Sequence, residues 1–406
     1  MQFLGILVLI LIVTTLVGHY SSRIGIPAVI GQLVVGIVLG PAILNWIQPN
    51  EFIHFFSEIG VIILMFIAGI ESDLKLLKKY LKPSFLVAII GVIVPMSMAY
   101  GIGIFYKMSN SESLFLSIIF AATSVSISVA VLKELNVLQG KAGATILGAA
   151  VVDDILAVII LSVMISLVGT GSNSNSLLIT FGGQILFFIA IYFVVKFLAP
   201  IMAKLGQNLF VPVGPTLMAM ILCFGMAYLA DLLGLSSVVG AFFAGIAISQ
   251  TEVRNEVDKS IEPIGFAIFI PVFFVSIGLN MKLTGLGSYI DFIAILTLTA
   301  VISKLFGAGL GAKLSHFTIS ESYMVGAGMV SRGEMALIIA QIGYQSKLIS
   351  SSYYSAIITA IILTTLLAPF LLKHSAKLSS KNNVIFDPND IDFEAENRFI
   401  NANLYD

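Results

Sequence analysis

Two adjacent aspartates lie in the middle of a long apolar segment of the sequence. They are Asp153 and Asp154, in the stretch GAAVVDDILAVIIL. A charged side chain at the centre of a bilayer costs about 2.5–3.5 kcal/mol on insertion scales, so an acid in such a segment indicates a function by default. Adjacent residues of a helix point about 100° apart. We therefore expect one carboxylate to face a cavity and the other to meet a partner on a neighbouring helix.

A lysine in a later apolar segment is a suitable partner. Lys304, in TAVISKLFGAG, is several residues from either end of its segment. An ion pair between Lys304 and one aspartate would offset the burial cost of both groups, and protonation of the acid would break it. The alternative, in which Lys304 extends to the membrane surface, is weaker because of this central position.

Two other segments carry polar groups in unusual places. FAATSVSISVAVL includes Thr123 and Ser124, and GAGMVSRGEMALIIAQIG includes Arg332 and Glu334 on either side of a glycine. Hydroxyl-rich and glycine-centred stretches suit discontinuous helices, whose exposed ends and carbonyls line ion sites. Two structural alternatives stay open. The hydroxyls can bond back to their own helix, and Arg332 and Glu334 can form a purely structural salt bridge.

The elements that must position these residues are membrane-spanning helices. Of the 406 residues, 58% are hydrophobic and 11% are charged, which predicts an all-α integral membrane protein. A helix needs about 20 apolar residues to cross a bilayer. By that measure there are about thirteen transmembrane helices, at 2–19, 26–46, 55–72, 84–106, 112–132, 142–168, 177–200, 212–232, 235–250, 261–280, 288–312, 321–344 and 351–373.

The basic residues predict the orientation, because cytoplasmic loops are enriched in lysine and arginine. With the N-terminus outside, the inner loops and the tail hold sixteen: Arg23, Lys75, Lys78, Lys79, Lys82, Lys133, Lys141, Lys196, Lys204, Arg254, Lys259, Lys313, Lys373, Lys377, Lys381 and Arg398. The outer loops hold Lys107, Lys282 and Lys347. The sequence therefore predicts an external N-terminus and a cytoplasmic C-terminus.

An internal repeat connects the two halves of the chain. GIPAVIGQLVVGIVLG, at 25–40, aligns without gaps with GLSSVVGAFFAGIAIS, at 234–249. The offset of 209 residues matches Gly25 with Gly234, Gly31 with Gly240, Gly36 with Gly245 and Gly69 with Gly278. Close helix packing alone can place such glycines. Because seven predicted helices separate the copies, however, the match favours inverted repeats and a transporter.

The repeat divides the chain into predicted units. A transmembrane unit covers 1–373, with repeats at about 1–168 and 212–373 joined by a linker helix at 177–200. A short polar cytoplasmic tail covers 374–406 and is too short to form a nucleotide-binding domain.

Taken together, the motifs VVDDILAV, ATSVSISV, FFVSIGLNM and VSRGEMAL resemble those of bacterial sodium–proton antiporters of NapA type. That group belongs to the second branch of the monovalent cation–proton antiporters, which also includes the Kef potassium-efflux proteins. The resemblance implies a dimerisation domain, a core domain with two crossed broken helices, and alternating access. Kef proteins have Gln–Asp in place of Asp–Asp and carry a long nucleotide-binding domain, so both differences favour the NapA side.

The resemblance also implies roles for particular residues. Asp154 matches the essential carboxylate that binds the cation and the proton, and Asp153 matches the acid that pairs with the lysine, here Lys304. Thr123 and Ser124 would join Asp154 around Na⁺. The acid of the second broken helix and its neighbour would be Glu334 and Arg332.

The predicted function is exchange of Na⁺, or Li⁺, for H⁺ by alternating access and with net charge movement, in a homodimer in the bacterial cytoplasmic membrane. We expect no enzymatic activity, no cofactor and no nucleic-acid partner. One alternative is K⁺/H⁺ exchange of the Kef kind, and an alternative of another class is a sodium-coupled symporter of organic solutes. A passive channel would not show proton-dependent exchange. An intramembrane aspartyl protease is disfavoured because its two carboxylates converge from different helices.

Overall fold

The fold is all-helical throughout the part of the chain that the structure, a computed structural model, describes: residues 2–23, 27–72, 74–167, 175–281, 286–345 and 347–381. Its α-helices are α1 (Gln2–Arg23), α2 (Ala28–Leu39), α3 (Glu51–Glu71), α4 (Leu74–Lys79), α5 (Leu81–Phe105), α6 (Asn110–Ala121), α7 (Val125–Glu134), α8 (Lys141–Leu167), α9 (Asn175–Phe193), α10 (Ala199–Asn208), α11 (Gly214–Leu232), α12 (Ser237–Ser249), α13 (Arg254–Ile264), α14 (Ile270–Leu279), α15 (Ile290–Leu314), α16 (Ile319–Gly328), α17 (Glu334–Gln345) and α18 (Ser351–Lys381).

Within the described residues, ten helical stretches are long and apolar enough to cross a bilayer, and three apolar helices are shorter. This confirms the prediction of an all-helical, multi-pass membrane protein. Each predicted segment contains one of these helices or two in succession. The bounds differ where backbone chemistry intervenes. For example, the second segment, predicted at 26–46, contains a helix only from Ala28 to Leu39, because Pro27 precedes it and Gly40 and Pro41 follow it.

Four predicted segments hold two α-helices each, joined by a π-helical turn or separated by a break. The linker segment continues from α9 through a π-helical turn, Val194–Leu198, into α10. A second π-helical turn, Gly265–Phe269, joins α13 to α14. In the fifth segment α6 and α7 are separated by an extended break at 122–124. In the twelfth segment α16 and α17 are separated by a break at 329–333. The last helix ends at Lys381, and residues 382–406 of the predicted tail lie outside the described residues.

The helices pack as two bundles. The scaffold bundle contains α1–α3 and α10–α14, and the crossing bundle contains α5–α8 and α15–α18. The short helix α4 carries the chain from α3 to α5, and α9 follows α8. The bundles meet where α7 packs on α2 and α3 and where α18 packs on α2. The scaffold bundle therefore borders one of the two broken segments directly.

Glycines from both halves of the chain bring the scaffold helices into backbone contact. A side chain at Gly36, on α2, would collide with the backbone of Val275 and Gly278 on α14. A side chain at Gly245, on α12, would collide with the backbone of α3 at Gly69. The offset of 209 residues relates Gly36 to Gly245 and Gly69 to Gly278. The two contacts are thus made by corresponding residues, with the partners exchanged between the halves.

Side-chain caps satisfy the first amides of several helices. The side chains of Asn50, Ser109 and Ser236 accept hydrogen bonds at the starts of α3, α6 and α12. Thr318 and Glu321 form a reciprocal capping box at the start of α16. Such caps stabilise a helix end by roughly 0.5–2 kcal/mol each. In a membrane, where no water can replace them, they also keep these backbone N–H groups from being left without a hydrogen-bond partner.

The glycine contacts lead to a prediction about stability. Gly69→Val adds a side chain where α3 meets the backbone of α12. We expect a loss of at least about 1–3 kcal/mol, the usual cost of overpacking, because backbone cannot move aside as a side chain can. Thermal unfolding in detergent measures it. The control is Gly225→Val on α11, which has open space around it; equal losses in the two variants would contradict the prediction.

Candidate functional site

A fully buried ion pair joins the two helices that carry the predicted site. The Lys304 ammonium on α15 donates to both carboxylate oxygens of Asp153 on α8, over 3.1 and 3.3 Å. The side chains of Lys304 and Asp153 are 0% and 1% exposed. The partner that the residue types suggested for one of the two aspartates is therefore present. The pairing neutralises both charges in a region where an isolated charge is very costly.

The neighbouring carboxylate faces a different environment. Asp154 is buried, with 6% of its surface exposed, and it lines a small cavity of about 10 Å³, roughly the space of one water molecule. The other lining residues are apolar: Met65 on α3, Val125 on α7, Leu147 and Val151 on α8, and Val238, Val239 and Phe242 on α12. Because α3 and α12 belong to the scaffold bundle, this cavity lies at the boundary between the bundles.

The two broken segments cross each other at their breaks. The Ser124 amide donates to the Ser331 carbonyl over 2.8 Å, and the Ser331 hydroxyl donates back to the Ser124 carbonyl over 2.7 Å. Ser128 adds a hydrogen bond to the Gly328 carbonyl and a 3.0 Å contact with the Ser331 hydroxyl. These bonds satisfy backbone groups that the interrupted helices leave free, which is the condition for irregular backbone at membrane depth. Crossed broken helices, predicted through the resemblance, are confirmed.

The buried arginine of the second break binds backbone carbonyls. Arg332 donates to the carbonyl of Phe120 from Nε and Nη2, over 3.3 and 3.0 Å, and to those of Val330 and Ala300 over 2.6 and 3.0 Å. Phe120 lies in the last turn of α6, where a cation offsets the partial negative charge of the helix end. Arg332 thus holds three carbonyls at the crossing. Its role as a lining residue of the cation site stays a prediction.

The remaining predicted residues lie at the breaks. Thr123 is 3% exposed, and its hydroxyl has no hydrogen-bond partner among the described residues. Ser124 contacts Gly333, where an added side chain would collide with the Ser124 hydroxyl. Glu334 is the first residue of α17, and its side chain lies outside the described part of the structure. The first break therefore holds a buried hydroxyl that the described residues leave without a hydrogen bond.

The geometry combines a neutralised pair with an adjacent acid at an inter-bundle cavity. Asp154 lines that cavity from α8, directly after Asp153 in the sequence. Multi-pass helices, two crossed broken segments and intramembrane acids define a secondary transporter of ions.

The chain belongs to the sodium/hydrogen exchanger family of transmembrane proteins, whose family model matches residues 7–377. It is 53% identical to a Na⁺/H⁺ antiporter of Enterococcus hirae over 378 residues, which cover 93% of this chain and 99% of that protein. It is 44% identical to the Na⁺/H⁺-K⁺ antiporter GerN of Bacillus cereus over 374 residues, which cover 92% and 96% of the two chains. The predicted family of antiporters is confirmed.

A solved structure confirms the fold independently. The sodium proton antiporter MjNhaP1 from Methanocaldococcus jannaschii superposes with a TM-score of 0.65 at 20% sequence identity. The match covers 93% of this chain and 98% of that one. At this identity the likeness shows a shared fold.

Sequence reasoning missed the walls of the Asp154 cavity and the second half of the crossing. Met65, Val238 and Phe242 carry no chemical signal that separates them from other apolar residues. Ser331 stands directly before Arg332 in the SRGE motif. Because the two broken segments correspond in the two halves of the chain, the sequence could have predicted that Ser331 meets Ser124 at the crossing.

The buried pair leads to a prediction about coupling. Lys304→Met and Asp153→Asn each leave the other partner unsatisfied, and breaking a buried pair costs about 3–5 kcal/mol. The double variant buries no unpaired charge at this place. We therefore expect a higher thermal unfolding temperature for the double variant than for Lys304→Met, measured in detergent. Additive losses, as for independent sites, would contradict this coupling.

Proposed function

We propose that this protein exchanges Na⁺, or Li⁺, for H⁺ across a bacterial cell membrane. The observation that carries the proposal is the division of labour between two adjacent acids: Asp153 is paired with Lys304, while Asp154 lines the cavity between the bundles. The names of the Enterococcus hirae and Bacillus cereus relatives support sodium as the cation and the proton as the exchanged ion.

Competition at Asp154 couples the two fluxes. A protonated carboxylate loses most of its affinity for a cation, whereas an ionised one requires a positive partner in so apolar a cavity. With a proton or a cation bound, Asp154 is neutral and can be carried across the membrane. The bare carboxylate is held back by the cost of its desolvation. The Thr123 hydroxyl, unpartnered at the break, is proposed with Ser124 to complete the oxygen ligands of the cation.

Alternating access follows from the two bundles. We propose that the crossing bundle moves as a unit past the scaffold bundle, since the Asp154 cavity lies at their boundary. The exchanged glycine contacts at the offset of 209 residues support inverted repeats at about 1–168 and 212–373. The homodimer, the external N-terminus, the cytoplasmic C-terminus and the total of thirteen transmembrane helices remain part of the proposal.

The ion pair offers a second proton. If the cation at Asp154 draws Asp153 away, Lys304 loses its partner and releases a proton in its buried position. Two protons would then move for each cation, and transport would be electrogenic. Arg332 holds the second break in place through its carbonyl partners, and Arg332 and Glu334 are proposed to line the cation site.

Asp154→Asn tests the exchange site. In proteoliposomes with an imposed pH gradient, we expect Na⁺ or Li⁺ to dissipate the gradient with the parent protein and not with the variant, because an amide neither binds the cation nor releases a proton. K⁺ is tested in parallel, since the GerN relative is named for both cations. The control is Asp231→Asn, an exposed acid at the end of α11.

Two outcomes would contradict the proposal. Exchange by the Asp154→Asn variant would show that the transport site lies elsewhere. A gradient that the parent protein leaves intact with every cation would remove the antiporter function and favour sodium-coupled uptake of an organic solute.

The double variant Asp153→Asn/Lys304→Gln tests the second proton. We expect it to exchange one proton for one cation at Asp154, so that its rate no longer depends on the membrane potential. The measurement compares exchange rates at potentials set by K⁺ and valinomycin, with the parent protein as the voltage-dependent reference. A double variant that keeps the voltage dependence of the parent would show that Lys304 carries no transported proton.

A further inference from the structure

The C-terminal end of α7 is bound to three helices of the other bundle. Lys133 Nζ lies 2.5 Å from the Glu71 carboxylate on α3 and 2.8 Å from the Glu262 carboxylate on α13. The next residue, Glu134, accepts the amide of Ala28, the first residue of α2, at both carboxylate oxygens, over 3.1 and 3.0 Å. All of these bonds cross from the crossing bundle to the scaffold bundle. We call Lys133, Glu134 and these three partners the α7 latch.

The latch and the Asp154 cavity share two helices, α3 and α7. Val125 and Met65 line the cavity from α7 and α3. Lys133 follows Val125 by eight residues and Glu71 follows Met65 by six, or about 12 and 9 Å at 1.5 Å per helical residue. The ion pair therefore bridges α3 and α7 between the cavity and one face of the membrane.

The surroundings of Lys133 strengthen its ion pairs with the scaffold bundle. Its side chain is 15% exposed, and its ammonium lies 5.3 Å from the centre of the Phe266 ring. Carboxylate oxygens of Glu71, Asp258 and Glu262 lie within 4.8 Å of one another. One lysine of the crossing bundle thus faces three acids of the scaffold bundle, which would otherwise repel one another. Loss of the lysine charge removes the attraction and leaves that repulsion.

We propose that Lys133 and Glu134 are positioning residues of the transport cycle. They hold α7 on the scaffold bundle, close the Asp154 cavity towards their side of the membrane, and release each time the cavity opens to that side. The proposal rests on the alternating access proposed above. It differs from a purely structural role because it ties these residues to the accessibility of a cavity about 12 Å away along α7.

The chain offers a matched control. Lys141 on α8 pairs with Glu321 on α16 over 3.1 Å, and its ammonium also lies over an aromatic ring, that of Phe317. Both helices belong to the crossing bundle, so this ion pair does not span the boundary. Lys141→Gln removes a comparable charge without loosening the latch.

The test measures access to the cavity directly. In a Cys223→Ser background, Val125→Cys places a single thiol on the cavity wall. An impermeant thiol reagent is added to membrane vesicles on the side where Lys133 lies. We expect Lys133→Gln to react about fivefold faster than the parent, the shift that the loss of a weak ion pair produces in a two-state equilibrium. Lys133→Arg, which keeps the charge, and Lys141→Gln should both react at the parent rate.

Equal reaction rates for Lys133→Gln, Lys141→Gln and the parent would overturn the proposal. If Lys133→Gln does not accumulate as folded protein, Glu71→Gln and Glu262→Gln serve in its place, each with a smaller increase because one acid stays paired with Lys133. Thiol labelling needs no transport. If Lys133→Gln reacts faster but the protein shows no cation-driven proton movement, the latch stands and the proposed function is rejected. If proton movement is seen but the thiol reaction is not faster, the proposed function stands and the latch is rejected.

Discussion

The ion pair between Lys304 and Asp153 is the interaction on which the crossing bundle depends. Neither charge has access to solvent, and each would be prohibitively costly to bury without the other. The pair therefore requires α8 and α15 to lie within a side chain's length of each other. α5 packs against both helices, and Gly91 on α5 lies beside the Lys304 ammonium. The need to neutralise two charges thus sets how three long helices come together.

The same requirement explains the second buried cation. Arg332 has no access to solvent either, but it donates its hydrogen bonds to carbonyl oxygens rather than to a carboxylate. Two of these carbonyls, those of Phe120 and Val330, are free because two helices are interrupted there. The third, that of Ala300, belongs to the continuous helix α15. Broken helices and buried arginine therefore stabilise each other, while the serine pair at the crossing satisfies the remaining backbone groups. The result is a connected polar interior.

The boundary between the bundles is where function becomes possible. The scaffold helices touch backbone to backbone at their glycines, which favours a rigid support. Across the boundary, the cavity at Asp154 is lined by apolar side chains, and such surfaces can slide without breaking hydrogen bonds. The ionic contacts of α7 lie farther along the same boundary. A cavity with apolar walls next to a breakable ionic contact suits a site that must open to one side at a time.

The sequence by itself determined the class of the protein and the charged residues that lie buried among its helices. Composition and segment length predict a helical membrane protein, and charges inside apolar segments identify Asp153, Asp154 and Lys304, because burial makes any unneeded charge too costly to keep. The family resemblance already paired Lys304 with Asp153, as the structure has it. Only the tertiary structure showed which carbonyls hold Arg332 and that Met65 joins Asp154 at one cavity. The physical reason is that side-chain patterns record local burial. In a sequence, one backbone carbonyl cannot be told from another, nor one apolar side chain from another. Only packing decides which of them come together.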